Sequence, residues 1–256
     1  MNPLDIGLML IIIALGTYFQ TVTGFGLAMI VIGLVSGFKL ASVPFIATVV
    51  SLITLVNSGL AIRNHLHKID WKTTNTILLG VVPSSILGVV LLDFLNVKAK
   101  NILEFLLGLV IAYSGIVFAL RPKKRGKESS LKAFFNIGFI SGLCGGLFGM
   151  PGPPVIFHLY RQPFQLVTIR NMLLVIFACT AFTRTVYEYI ALGLPEGSFI
   201  AALFAIPCVA IATLAAQRFP PPIRPTTMRK ISFVSLVVIG LALMYGSGMK
   251  IYQTPL

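Results

Sequence analysis

Residues 138–160 read GFISGLCGGLFGMPGPPVIFHLY. This stretch constrains the fold more than any other. It is as apolar as a membrane helix, yet it carries six glycines and three prolines. Gly and Pro interrupt helices. An interrupted helix leaves N–H and C=O groups without partners. In hydrocarbon that is tolerated only where the backbone is buried in protein or lines a cavity. A sister stretch, GTYFQTVTGFGLAMIVIGLVSG, occupies residues 16–37. The pairs Phe25-Gly26 and Phe148-Gly149 anchor the two.

The surrounding chain is 57% hydrophobic and 11% charged, more apolar than a soluble domain of this size can bury. Apolar runs fall at 3–36, 42–62, 73–92, 99–120, 133–159, 166–191, 198–217 and 230–249. Most are about 20 residues long, one bilayer crossing. The first and fifth are longer and are the two that Gly and Pro break. The N-terminal MNPLDIG lacks a basic region, so no cleaved signal peptide is expected. Cys144, Cys179 and Cys208 all lie in apolar runs, where buried thiols are expected rather than disulfides.

The two halves resemble repeats. Phe25-Gly26 matches Phe148-Gly149, Pro83 matches Pro207, and Gly115 matches Gly240, all at nearly one offset. This predicts a first transmembrane repeat over 1–120, a cytoplasmic basic linker over 121–132 and a second repeat over 133–256. The formal charge of +13 sets orientation rather than binding nucleic acid. Lys and Arg collect in three loops: Arg63 to Lys72, Arg121 to Lys132, and Arg218 to Lys230. All three are expected in the cytoplasm. The loop 192–197, LGLPEG, has no base and is expected outside. These assignments agree only if the run 133–159 enters the membrane and returns to the same side. By symmetry, run 3–36 does so from outside. The expected fold is an all-α polytopic membrane protein of two inverted repeats. Each repeat is a re-entrant broken-helix hairpin plus about three transmembrane helices, and both termini are outside.

Inverted repeats with broken helices are the pattern of secondary transporters, with the site between the repeats. Helix N-termini at the breaks present free N–H groups and partial positive charge, which suit an anion. The candidate substrate-binding residues at the breaks are Gly24, Phe25, Gly26, Gly146, Phe148, Gly149, Met150, Pro151 and Gly152. The alternative is that these small residues pack helices closely. Asn57 and Asn171 are further candidates, either lining a path or tying helices together. Arg184, inside the sixth run, is a candidate by its cost alone. It is open to an anion and equally to Glu188, four residues on and on the same helical face. Gln20, Thr21 and Thr23 flank the first break. His158 is read as structural, and the His65-Leu66-His67 segment has no acidic or thiol company to hold a metal. No nucleophile motif, HExxH or phosphate-binding loop is present. The sequence therefore predicts neither an enzyme nor an ATP-driven pump, and no cofactor.

The GFG break, the GLCGGLFGMPGPP break and the basic loop Arg63 to Trp71 together resemble the TauE/SafE-type sulfite and organosulfonate exporters. The likeness runs over nearly the whole chain. It departs where Met150-Pro151-Gly152 stands in place of the family's Gly-Gly pair. The resemblance implies a multi-pass protein of the bacterial inner membrane. It implies export of a small anion such as sulfite or sulfoacetate. Which anion, whether protons are coupled, and whether the protein forms a homo-oligomer stay open. A transporter or channel for another small solute is the other reading, with a non-catalytic membrane subunit behind it.

Overall fold

The computed structural model describes residues 3–63, 66–98, 100–119, 126–219 and 225–253. Within them there are ten α-helices and no strand. The basic residues Arg121, Lys123, Lys124, Arg125 and Arg224 and the expected loop residue His65 lie outside the described residues.

Each broken run folds as two helices. The first gives α1 (Pro3–Thr23) and α2 (Leu27–Gly37), and the fifth gives α6 (Leu131–Phe148) and α7 (Gly152–Tyr160). The other runs give α3 (Val43–Ile62), α4 (Trp71–Lys98), α5 (Lys100–Ala119), α8 (Leu166–Tyr187), α9 (Ser198–Arg218) and α10 (Pro225–Gln253). A π-helical turn, Glu188–Leu192, extends α8. Among the described residues six helices, α1, α3, α4, α6, α8 and α9, are long and apolar enough to cross a membrane. Many outward side chains are large and apolar, among them Leu79, Phe204 and Ile211, as lipid contact requires.

The second hairpin doubles back on itself, bringing the end of α7 to the start of α6. At its mouth the Ser129 N–H donates to Gln162 Oε1 (2.9 Å) and Gln162 Nε2 donates to Ser129 Oγ (3.0 Å). Phe134 near the start of α6 stacks edge-on against His158 near the end of α7, with ring centroids 5.2 Å apart. In the first hairpin α2 folds back on α1, so that Gly16 faces Leu27 and Val31.

Packing fixes where the hairpins sit. α4 runs along α6 and α1 along α9; α3 packs on α8 and α9, and α8 on α4; α5 pairs with α10. Gly138, Gly142 and Gly146 recur every four residues and form one face of α6. Added Cβ atoms there would lie 2.3 Å from the Ile77 carbonyl oxygen, 2.0 Å from Ser84 Oγ and 2.1 Å from the Ser85 carbonyl oxygen. These glycines serve close helix contact with α4, the role small residues play where lipid supplies no hydrophobic drive. The α5–α10 crossing works alike: a Cβ on Gly240 would stand 2.4 Å from the Ala112 nitrogen.

Candidate functional site

The two breaks are held by different means. In the first, Gly26 caps α2 at φ 111°, a backbone that side chains resist. The missing side chain also makes room for the Phe19 ring, which would lie 2.6 Å from a Cβ. Phe25 is fully buried and edge-packed between Phe19 and Tyr160, with centroids at 6.0 and 6.2 Å. The Tyr160 hydroxyl donates to the Thr23 carbonyl (3.2 Å), tying α7 to the end of α1. Gly24 packs under the stem of Arg170.

Behind this break lies a buried polar cluster. Gln20 Oε1 accepts the Leu27 N–H at the start of α2 (3.3 Å), and Gln20 Nε2 donates to Asn57 Oδ1 (2.9 Å). Asn57 Nδ2 donates in turn to the hydroxyls of Thr21 (2.7 Å) and Thr213 (2.9 Å). Asn57 is fully buried and spends its side chain on these three bonds. It fixes the glutamine that fixes α2.

In the second break Gly149 ends α6 at φ 65°, and its N–H returns to the Gly145 carbonyl (2.8 Å). A Cβ there would meet the Ala47 carbonyl oxygen at 3.1 Å. The start of α7 differs from that of α2 in chemistry. Pro153 and Pro154 lie in its first turn, and proline has no N–H. Gly152 and Val155 are left as the first-turn donors. Leu27, Ala28 and Met29 of α2 all keep theirs, one being taken by Gln20. The donor-rich helix end is therefore that of α2.

Both breaks open on one cavity between the two halves of the chain. Its wall includes Gly26, Ala28 and Met29 from the first hairpin and Gly149, Met150, Pro151 and Gly152 from the second. Ser51 and Thr54 of α3 and Thr180 and Arg184 of α8 close the sides. The space open to water centres is about 20 Å³, room for about one water.

Arg184 is completely buried, and each end of its guanidinium has a partner. Nε donates to the Gly146 carbonyl (3.1 Å) and Nη1 to Ser51 Oγ (3.2 Å), while Nη2 forms an ion pair with Glu188. The other Glu188 oxygen accepts from the Thr48 hydroxyl (2.9 Å). A buried cation is tolerable only with such a full set. Arg184 pairs with Glu188 and also lines the cavity. Three of its five N–H groups point at these partners.

The candidates thus divide. Gly26, Gly149, Met150, Pro151, Gly152 and Arg184 reach the cavity wall. Gly24, Phe25, Gly146, Phe148, Asn57 and Asn171 stand behind it, buried. Residues on the cavity wall that the sequence did not single out include Ala28, Met29, Ser51, Thr54, Phe177 and Thr180. A signal existed for three of them. Ser51 and Thr54 lie three apart on one face of α3, and Thr180 lies four before Arg184, so each shares a stripe with a polar neighbour.

The profile of the sulfite exporter TauE/SafE family matches residues 8–243. A protein of Cupriavidus necator described as a probable sulfite/organosulfonate exporter, TauE, is 45% identical over 229 residues, 90% of each chain. No solved structure matches.

Proposed function

This chain belongs to the sulfite exporter TauE/SafE family, and from that premise we propose that it exports a small sulfur-containing anion across the bacterial inner membrane. The substrate class is sulfite, sulfoacetate or a related organosulfonate, as in the name of the Cupriavidus necator relative. The observation that carries the reading is convergence. Two backbone breaks, the N-terminus of α2 and a buried arginine all face one cavity. Ala28 and Met29 supply N–H donors and Arg184 a planar fork that suits two oxygens of one sulfur group. Arg184, Gly26, Ala28, Met29, Gly149 and Gly152 are the proposed site. Gln20 and Asn57 position it.

The proposed architecture is two inverted repeats around this site, 1–120 and 133–256. Exchanging α1 to α5 for α6 to α10 carries the α1–α9 contact onto α6–α4 and the α3–α9 contact onto α8–α4, and leaves α3–α8 and α5–α10 in place. That supports the repeat. An inside-negative potential drives an anion outward by about 2.3 kcal/mol per charge per 100 mV, so uniport suffices. A second reading has one observation in its favour. Glu188 neutralises Arg184, which lowers the site's bias against a neutral or cationic solute. Efflux from proteoliposomes loaded with sulfite, sulfoacetate, taurine or potassium separates them. The anion reading requires efflux of sulfite or sulfoacetate that speeds up with an inside-negative potential. Efflux of potassium alone refutes it; efflux of taurine, a sulfonate of no net charge, keeps the sulfonate class and removes only the requirement for net charge.

A further inference from the structure

The central cavity and a larger space share no lining residue and meet at the Arg184–Glu188 pair. That vestibule, about 330 Å³, lies between the first turn of α3 at Ser42 and Pro44, the end of α4 at Asp93 and Asn96, and the loop Gly193–Pro195. Arg184 faces the cavity and Glu188 the vestibule. Their ion pair therefore lies between the two spaces. Glu188 also opens the π-helical turn at the end of α8, which runs into Gly193 at φ 76°. Such turns are rare and gather at functional positions, where the chain has a register to spare.

Electrostatics then limits what can happen when an anion arrives. Arg184 is fully buried and cannot be left without a counter-charge. Two anions beside it would repel each other in a medium of low dielectric. An anion that reaches the guanidinium must therefore replace the carboxylate already there. Glu188 has a way out on its other side, towards Ser42 and Asn96. Its departure strands no hydroxyl, because Thr48 Oγ1 also lies 3.0 Å from the Pro44 carbonyl.

We propose that the Arg184–Glu188 pair is the gate on the vestibule side of the transport path. A substrate anion opens it by displacing the Glu188 carboxylate into the vestibule, and the carboxylate returns to Arg184 as the anion leaves. The inference rests on the exporter reading above. Charge balances without a proton: guanidinium and anion neutralise each other while Glu188 is hydrated. Asp93 shares the vestibule, and its negative charge favours the return.

The test compares sulfite and sulfoacetate binding to purified wild type, Glu188→Gln and the Arg184→Gln/Glu188→Gln double variant. A built-in competitor lowers apparent affinity by the fraction of time it occupies the site, so Glu188→Gln is expected to bind about tenfold tighter or more. The double variant is expected to lose binding. If Glu188→Gln unfolds in anion-free buffer, 10-fold-excess sulfoacetate over the wild-type Kd should restore its unfolding transition, by supplying the missing counter-charge. In a background lacking Cys144, Cys179 and Cys208, Ala181→Cys on the cavity wall should react with an impermeant cationic thiol reagent faster in Glu188→Ala than with Glu188 present. Equal or weaker binding by folded Glu188→Gln, failure of the anion to restore an unfolded one, or equal reactivity of Ala181→Cys overturns the gate. Absence of anion binding by wild type overturns the exporter reading itself, and the gate with it.

Discussion

Asn57→Ala removes three side-chain hydrogen bonds at a site with no exposure. In membrane bundles such bonds average about 0.6 kcal/mol each, below the ~1 kcal/mol of soluble proteins. The sum is about 2 kcal/mol. For a chain of this size that lowers Tm by roughly 4–8 °C. The loss should not stop at stability. Gln20 would lose the partner of its Nε2 group and with it a fixed orientation, and its Oε1 holds the Leu27 N–H that starts α2. The N–H groups of Ala28 and Met29 would then no longer be aimed, and anion affinity should fall. Thr213→Val is the control. It removes one of the three bonds and should lower Tm by about 1–2 °C, with affinity intact. Gln20→Ala should reproduce the affinity loss. Thermal unfolding in detergent and sulfoacetate titration measure both quantities. If Asn57→Ala shifts Tm no more than Thr213→Val does, or Gln20→Ala binds the anion normally, the cluster does not hold the break and the reasoning fails.

Glu188→Ala leaves the fully buried Arg184 without its counter-charge and should destabilise by about 3–5 kcal/mol, whereas Arg184→Ala should cost less, because Glu188 borders the vestibule. The Arg184→Ala/Glu188→Ala double variant should recover much of that stability and none of the binding, which a double-mutant cycle with titration checks. Gly142→Val should part α4 from α6, since its first added atom already falls 2.4 Å from the Val81 carbonyl oxygen. Gly59→Ala, with open space around it, should leave Tm within about 1 °C or raise it, because helical alanine is favoured over glycine. Finally, Ser129→Cys should be labelled only from the cytoplasm and Gly193→Cys only from outside. The reverse pattern would invert the assigned orientation.

Much of this protein was legible in its sequence. Hydropathy and helix breakers are local properties, and they placed the runs and both interruptions: α1 ends at Thr23 before the GFG break, and α6 at Phe148 before GMP. Charge in the loops required the second hairpin to double back, and Ser129 and Gln162 close its mouth. The four-residue spacing made the Arg184–Glu188 pair one of two equal readings, and the pair is present. The missing donors at the start of α7 were also there to be read, since Pro153 and Pro154 lack N–H by their chemistry. Tertiary structure decided the rest. A polar residue in an apolar run must face inward, but its own sequence does not say whether it meets a cavity or a neighbour. Asn57 met Gln20, Thr21 and Thr213, whereas Ser51 and Thr180 met the cavity. One glycine-rich stretch likewise served two ends. Gly138, Gly142 and Gly146 lie on the face that α4 covers, and Gly149 and Gly152 come after the break has turned the chain towards the site. Periodicity assigns residues to a face; only the packing of one helix against another decides what that face touches.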